Sequence, residues 1–553
     1  MTNRFHRLRA AAGLGLALAC AAAPGAQAQI AGQSAGQIAA QRNTATPIKH
    51  LVVIFQENVS FDHYFGTYPK ATNPEGEPAF HAKPDTPAAN TLLAAGLLER
   101  NPNKTNARNG PNAALPFRLD RSQAATADQN HGYSAEQATY DGGRMDLFPA
   151  KTGRGSKGAA GSFGTQGQVM GYYDGNTVTA LWNYAQSFAM SDNSFSTTFG
   201  PSSPGAINLI SGQTNGAMLP VGATLDADGT YDKGRVVPDG QGGWTMISDL
   251  DPTGDVCAQG KTVLMTGHNI GDMLNARGIT WGWFEGGFDL SLTNPNGTTS
   301  CARKTTSAVT HVTVADYIPH HEPFQYYPST ANPTHKRPAS VAVIGTDHDG
   351  GANHQYDMKD WYAALKAGNL PAVSFLKAPG FEDGHAGYSD PLDGQHFIVR
   401  AVNAVETSEF WKDAAIVVLY DDSDGWYDHA HAVINPSDLR VRGFDVLDGD
   451  RCGTTGVPLP GLGGRPVQGR CGYGTRQPFV VISPYAKPDH VDHTLTDQTS
   501  VMRFIEDNWM GGQRLGQGSF DAVAGPIDGM FDWEKPMAQA LILNPETGEP
   551  AHF

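Results

Sequence analysis

His50-Leu51-Val52-Val53-Ile54-Phe55 runs directly into Gln56-Glu57-Asn58. A short apolar run rich in β-branched residues reads as a strand buried on both faces. Four more such runs occupy residues 340–344, 372–376, 415–420 and 478–483. Helix-like stretches lie at 178–189, 357–367, 398–411 and 499–509. Buried strands alternating with helices predict an α/β layered fold with a mostly parallel sheet. In such folds ligands gather at the C-terminal ends of strands. Polar residues cluster at three of those ends. Gln56-Glu57-Asn58 closes the first run, Asp421-Asp422-Ser423-Asp424-Gly425 follows Tyr420, and residues 380–385 come shortly after the run ending at Leu376. Residues 70–130 and 215–335, rich in Asn, Gly, Pro and Thr, read as long loop insertions around a site. No internal repeat and no independent second domain is legible, so 48–553 reads as a single domain.

The chain has 553 residues, 40% of them apolar, and a formal net charge of −16. That balance argues against a nucleic-acid partner, whose binding needs clustered Lys and Arg. It does not exclude a phosphorylated ligand, because a metal ion reverses the potential inside a pocket. No apolar run beyond the N-terminus reaches the roughly 20 residues of a membrane span. Residues 1–28 read as a secretory signal. Arg4, His6, Arg7 and Arg9 form a basic start, 10–23 an apolar stretch, and Ala26-Gln27-Ala28 a cleavage site. There is no adjacent Arg pair, which favours the general export route and a periplasmic or secreted location. Residues 29–47 read as a disordered leader. Cys20 leaves with the signal, and four cysteines remain in an oxidising compartment. Proximity favours the pairs Cys257–Cys301 and Cys452–Cys471 among three possible pairings.

Glu57 with Asn58, and Asp421 with Asp422, offer paired oxygen donors of the kind that hold a divalent cation. Taken singly, each pair has a structural alternative: Glu57 could neutralise a buried Arg, and the Asp pair could cap a turn. Ser202 in Gly200-Pro201-Ser202-Ser203-Pro204 precedes an apolar stretch. Ser203 suits the N-cap and Pro204 the first helical position, which places Ser202 at an anion-attracting helix terminus. There a metal could activate its hydroxyl, although from the local sequence alone a plain capping role is the stronger reading. His131, the pair His320-His321, His385 and His429 sit in polar loops and are candidates for metal, phosphate or proton handling. The G-x-S-x-G elbow of carboxylic ester hydrolases and the Lys of a P-loop are both missing.

These segments, taken in order, resemble the bacterial phosphoesterase family of secreted acid phosphatases and phospholipases C. The opening motif is Glu57-Asn58-Val59-Ser60-Phe61-Asp62-His63-Tyr64-Phe65-Gly66. Later motifs are Asp128-Gln129-Asn130-His131, Gly200-Pro201-Ser202, His320 to Phe324, Asp383-Gly384-His385 and Tyr420 to His429. The resemblance spans about His50 to Trp509. It implies an alkaline-phosphatase-like three-layer α/β/α sandwich and a divalent metal held by Glu57, Asn58, Ser202, Asp421 and Asp422. The metal's identity stays open among Ca2+, Mn2+, Fe and Zn2+. It also implies Ser202 as nucleophile, with His131, His320, His321 and His385 as phosphate-binding and acid/base groups. His320 and His385 lead as proton donors to the leaving oxygen. Phospholipase C members typically carry Thr followed by Asn-Pro at the nucleophile, and further C-terminal β domains. Ser202-Ser203-Pro204, and a chain that runs only about forty residues beyond Trp509, are similar to the acid phosphatase branch. The expected activity is therefore exported, metal-dependent phosphomonoester hydrolysis through a phosphoserine. Phospholipase C or other phosphodiester hydrolysis is the runner-up. The substrate would be a small phosphate ester or a phospholipid headgroup. A non-catalytic exported binding protein stabilised by a cation is the alternative from another class, and turnover with and without chelator separates it from an enzyme.

Overall fold

All seven residues of β1 (His50–Gln56) are buried, and the strand lies inside an eight-stranded sheet. In chain order the others are β2 (Ala189–Ser191), β3 (Trp281–Glu285), β4 (Gln355–Asp357), β5 (Val373–Lys377), β6 (Ala414–Tyr420), β7 (Phe479–Ile482) and β8 (His490–Asp492). The computed structural model describes residues 33–154, 166–432, 444–447, 450–451, 460–537 and 539–551. Across the sheet the order is β4-β3-β5-β1-β6-β7-β2-β8. β1 pairs parallel with β5 and β6, and β3 pairs parallel with β4 and β5. β7 runs against β6 and β2, while β8 follows β2. The C-terminal ends of β5, β1 and β6 therefore share one edge, where the polar clusters were expected.

The principal helices are α1 (Ala35–Gln41), α2 (Phe61–Phe65), α3 (Tyr133–Tyr140), α4 (Thr179–Ser187), α5 (Ser202–Ser211), α6 (Met358–Lys366), α7 (Pro391–Glu406) and α8 (Thr499–Met510). β1 and β6 are buried along their whole length, so both faces of the sheet are covered. One group of helices, α4, α6 and α7, packs together, and α5 packs on α8. These are the outer layers of an α/β sandwich. Ser34–Phe553 forms one compact unit. Among the described residues no helix is long and apolar enough to cross a membrane.

Several expectations need correction. Residues 340–344 are not a strand. Val341–Val343 forms a 3-10 turn on the surface, because a five-residue apolar run carries no periodicity that separates strand from turn. The stretch 215–335 is not all insertion. It contributes β3, an aromatic strand whose Gly282 leaves room for the rings of Tyr356 and Phe284. The helix expected from 398 begins at Pro391, with Asp390 accepting N–H bonds from Leu392 and Asp393, an N-cap and N1-proline signal readable in the sequence. The leader is not disordered throughout, since α1 is closed by a Ser34–Gln37 capping box and buries Ala35 and Ala39. Cys257 and Cys301 are disulfide-bonded as expected. Cys471 is also disulfide-bonded, and its expected partner Cys452 lies outside the described residues, as does the signal segment 1–28.

α5 reaches the sheet edge through one glycine. A Cβ on Gly205 would stand 2.2 Å from the Asp421 carbonyl oxygen. Gly205→Ala should therefore push α5 off the end of β6 and lower stability by about 1–3 kcal/mol, read by urea unfolding. An unchanged midpoint would contradict this seating.

Candidate active site

β1 ends at Gln56, and Asn58 then adopts φ +52°, a left-handed turn that Asn tolerates. The turn is laced to the end of β6. Asn58 N–H donates to Asp421 Oδ1 at 3.0 Å, Asp422 N–H donates to the same oxygen at 2.7 Å, and Val59 N–H donates to the Asp422 carbonyl. From β5 and its following loop, Glu57 N–H donates to the Asp383 carbonyl at 3.1 Å. Glu57, Asn58, Asp421, Asp422 and Ser202 are each at most 3% exposed.

Ser202 is the first residue of α5, with Pro201 in extended conformation before it. The expected frame, with Ser203 as N-cap and Pro204 opening the helix, is therefore shifted. Ser203 N–H is satisfied by Asp249 Oδ1 at 2.9 Å, which leaves the Ser202 hydroxyl free to face the strand ends. Ser202 Oγ lies 3.0 Å from Glu57 Oε2, 3.2 Å from Asp422 Oδ2 and 3.4 Å from the Asn58 amide. One hydroxyl proton serves one of these carboxylate oxygens. The Asn58 amide bridges the cluster: its nitrogen donates to Glu57 Oε2 at 2.5 Å and Asp421 Oδ1 at 3.1 Å, and its oxygen accepts from His385 Nε2 at 3.0 Å. Asp421 Oδ2 accepts no hydrogen bond and has the Lys377 ammonium 3.7 Å away. Buried oxygens facing oxygens are what a hard cation resolves, so this donor set fits a divalent metal.

Lys377, the last residue of β5, makes a fully buried ion pair with Glu57. Sequence reading passed over it, although a lysine closing a buried apolar run was visible. Glu136 on α3 was also passed over. Its carboxyl accepts from Gly200 N–H at 2.9 Å and from the Ser423 hydroxyl at 2.5 Å, tying the serine turn to the Asp421–Asp424 loop. Burial raises Asp421 to about 7, with Glu57 adding to the effect and Lys377 opposing it. Burial likewise lifts Asp422 well above the carboxylate range, against the pull of His131.

The four catalytic-candidate histidines surround this cluster. His321 Nδ1 lies 3.3 Å from Glu57 Oε1. Burial, then the Lys377 charge, lowers its pKa well below the usual value and keeps it neutral. His385 Nε2 reaches the Asn58 amide at 3.0 Å, while its Nδ1 meets the Ala386 carbonyl at 2.6 Å. His131 Nδ1 is 3.1 Å from Asp424 Oδ1 and 3.4 Å from Asp128 Oδ1. Burial pulls its pKa down, but Asp422, Asp424 and Asp128 outweigh burial and hold it well above the usual value. His320 packs edge-on against His321, ring centres 4.6 Å apart. Burial opposes its charge too, yet Asp251, Asp249 and Glu57 raise its pKa. His429 stands apart in a second ionic network, bonded to Asp62 at 2.6 Å beside Arg476. The latter part of the opening motif thus serves structure: Asp62 neutralises buried Arg476, and His63 stacks on Trp426 at 3.9 Å.

A strand-end carboxylate cluster facing a helix-terminal serine, ringed by histidines, is the arrangement of a metal-assisted ester hydrolase. A profile of the phosphoesterase family matches residues 48–510, and the chain belongs to that family. It is 25% identical over 529 residues to the non-hemolytic phospholipase C of Pseudomonas aeruginosa, covering 91% of this chain and 60% of that protein. It is 24% identical over 505 residues to the hemolytic phospholipase C of the same organism, covering 89% and 57%. With phospholipase C A of Mycobacterium tuberculosis it shares 22% identity over 478 residues, covering 83% and 72%. The chain thus spans less than two thirds of the length of either Pseudomonas relative.

The raised carboxyls set a pH dependence. An acid whose pKa rises on folding stabilises the fold below its unfolded value, and that contribution is lost as pH climbs through the folded value. For Asp421 the loss runs from its ordinary 3.8 up to about 7. Chelator-treated protein should therefore melt at falling temperature as pH rises from about 5 to about 8, and an added divalent cation should restore much of the loss at the upper end. A melting temperature indifferent to both pH and cation would contradict the site.

Proposed function

We propose that this chain is an exported, metal-dependent phosphoric ester hydrolase that acts through a phosphoserine at Ser202, with phosphodiesters of phospholipid headgroups as substrates. The observation that carries the reading is the Ser202 hydroxyl beside the Glu57 and Asp422 carboxylates and the Asn58 amide. Bound there, a divalent cation supplies positive charge that lowers the serine's pKa and offsets the charge of the phosphate. Ser202 Oγ attacks phosphorus in line. The Oγ–P bond forms as the bond to the leaving oxygen breaks, and the hydroxyl proton passes to Asp422 Oδ2 or Glu57 Oε2. His320, whose pKa is raised by Asp251 and Asp249 against the pull of burial, gives its proton to the leaving oxygen. His131, cationic through Asp422, Asp424 and Asp128, holds a phosphate oxygen. His321, kept neutral by burial and by Lys377, orients Glu57, and His385 orients the Asn58 amide. Water then attacks phosphorus as the His320 imidazole takes its proton, and the Oγ–P bond breaks as Ser202 Oγ regains the proton held by Asp422 or Glu57.

The phospholipase C names of the relatives support a diester substrate over the acid phosphatase branch. Phosphomonoester hydrolysis keeps one specific argument, the Ser202-Ser203-Pro204 sequence in place of Thr-Asn-Pro. Turnover of phosphatidylcholine against p-nitrophenyl phosphate decides between the two. Ser202→Ala should lower kcat on the better substrate by about 10^4–10^6. Near-normal turnover by that variant, or turnover that survives chelation, would overturn the scheme. His320→Asn should cost far more with an alkyl leaving group than with p-nitrophenolate, which needs no proton to depart. Equal losses on both would remove His320 as the acid.

A further inference from the structure

Beside the loops that carry His131 and brace Ser202 lies an open pocket of about 640 Å3, within the size range of small-molecule sites. Asn130 and Gly132, the two neighbours of His131, line it. So does Ser248, adjacent to the Asp249 that holds Ser203 N–H. Its floor is apolar, with Tyr133 and Ile247, and both lie against the nucleophile's turn. A Cβ on Gly200 would stand 3.0 Å from the Ile247 carbonyl oxygen and 3.6 Å from the Tyr133 ring. The rim carries Lys151, Lys233 and Arg235. Arg235 pairs with Asp232, whereas the Lys151 and Lys233 ammonium groups have no ion-pair partner among the described residues. The chain has 55 acidic residues against 39 basic ones, yet among the described residues none that is acidic lines this pocket.

We infer that this pocket is a substrate subsite for a second phosphate group, carried on the same molecule as the phosphate ester that Ser202 attacks. The inference rests on the proposed hydrolase function. Two unpaired ammonium groups beside an apolar floor favour a dianionic group on a carbon skeleton and repel the quaternary ammonium of choline. The excess of positive charge also offsets, locally, the field of a strongly acidic chain that would otherwise repel a bisphosphate. A second phosphate could arrive on a soluble sugar or on a lipid headgroup, and the two sources are separable.

The test is the ratio of kcat/KM for matched substrates with and without the second phosphate. One arm compares glucose 1,6-bisphosphate with glucose 6-phosphate. The other compares dihexanoyl phosphatidylinositol 4-phosphate with dihexanoyl phosphatidylinositol. Wild-type protein should prefer the doubly phosphorylated member in at least one arm, and that arm identifies the source. In the Lys151→Ala/Lys233→Ala variant the preference should fall about tenfold, the order expected for two charge-assisted contacts. A wild-type ratio near one in both arms, or a preference that the variant keeps, would overturn the subsite. If wild-type protein turns over none of the four, and neither phosphatidylcholine nor p-nitrophenyl phosphate, the hydrolase reading fails separately. Calorimetric titration with glucose 1,6-bisphosphate then decides the pocket: weaker binding by the variant supports it, and equal affinity overturns it.

Discussion

Too many oxygens meet too few protons at the edge of the sheet. Ser202 Oγ has Glu57 Oε2 and Asp422 Oδ2 within 3.2 Å, and Asp421 Oδ2 is buried without a hydrogen bond from the described residues. Two like charges about 4 Å apart repel by about 4 kcal/mol at an effective dielectric near 20. Lys377 relieves part of that repulsion through Glu57, and protonation relieves another part by lifting Asp421 and Asp422. What remains is a cavity of oxygen donors suited to a small multivalent cation. The surrounding fold holds that unfavourable arrangement in place.

Holding it depends on three parallel strands that end together. β5, β1 and β6 are neighbours in the sheet, so Asp383, Glu57 and Asp421 come off adjacent strand ends. Backbone hydrogen bonds between the loops then fix their spacing. Gly205 lets α5 abut the Asp421 carbonyl, and Glu136 clamps the Gly200 turn to Ser423. The serine is thus placed by backbone contacts on both sides, which is the rigidity a nucleophile needs.

Much of this was legible in the sequence, and what was not has identifiable causes. β1, β5, β6 and β7 declared themselves because strands buried on both faces are continuous apolar runs. Glu57-Asn58 and Asp421-Asp422 followed from the rule that ligands sit at strand ends. β3 was missed because Trp281-Gly282-Trp283-Phe284-Glu285 places a glycine and a carboxylate where an apolar run was sought, and because its flanks are rich in turn residues. Residues 340–344 had a strand's composition but no neighbour to pair with. Ser202 was ambiguous locally: only the three-dimensional meeting with Glu57 and Asp422 separates a ligand-bearing serine from a cap. Lys377 and Glu136 act through contacts separated by hundreds of residues or by the serine turn, so single-segment patterns carried no sign of them. Lys151, Lys233 and Arg235 likewise gather only in the folded chain.

The central claim is that Ser202 forms a covalent bond to phosphorus within this oxygen cluster. The direct measurement is acid quenching during turnover, followed by peptide mass spectrometry. The account predicts that the peptide containing Ser202 gains the mass of the substrate's phosphoryl group, in a metal-dependent manner, and that no other serine does. An unmodified Ser202 peptide during rapid turnover, or modification of a histidine in its place, would contradict it.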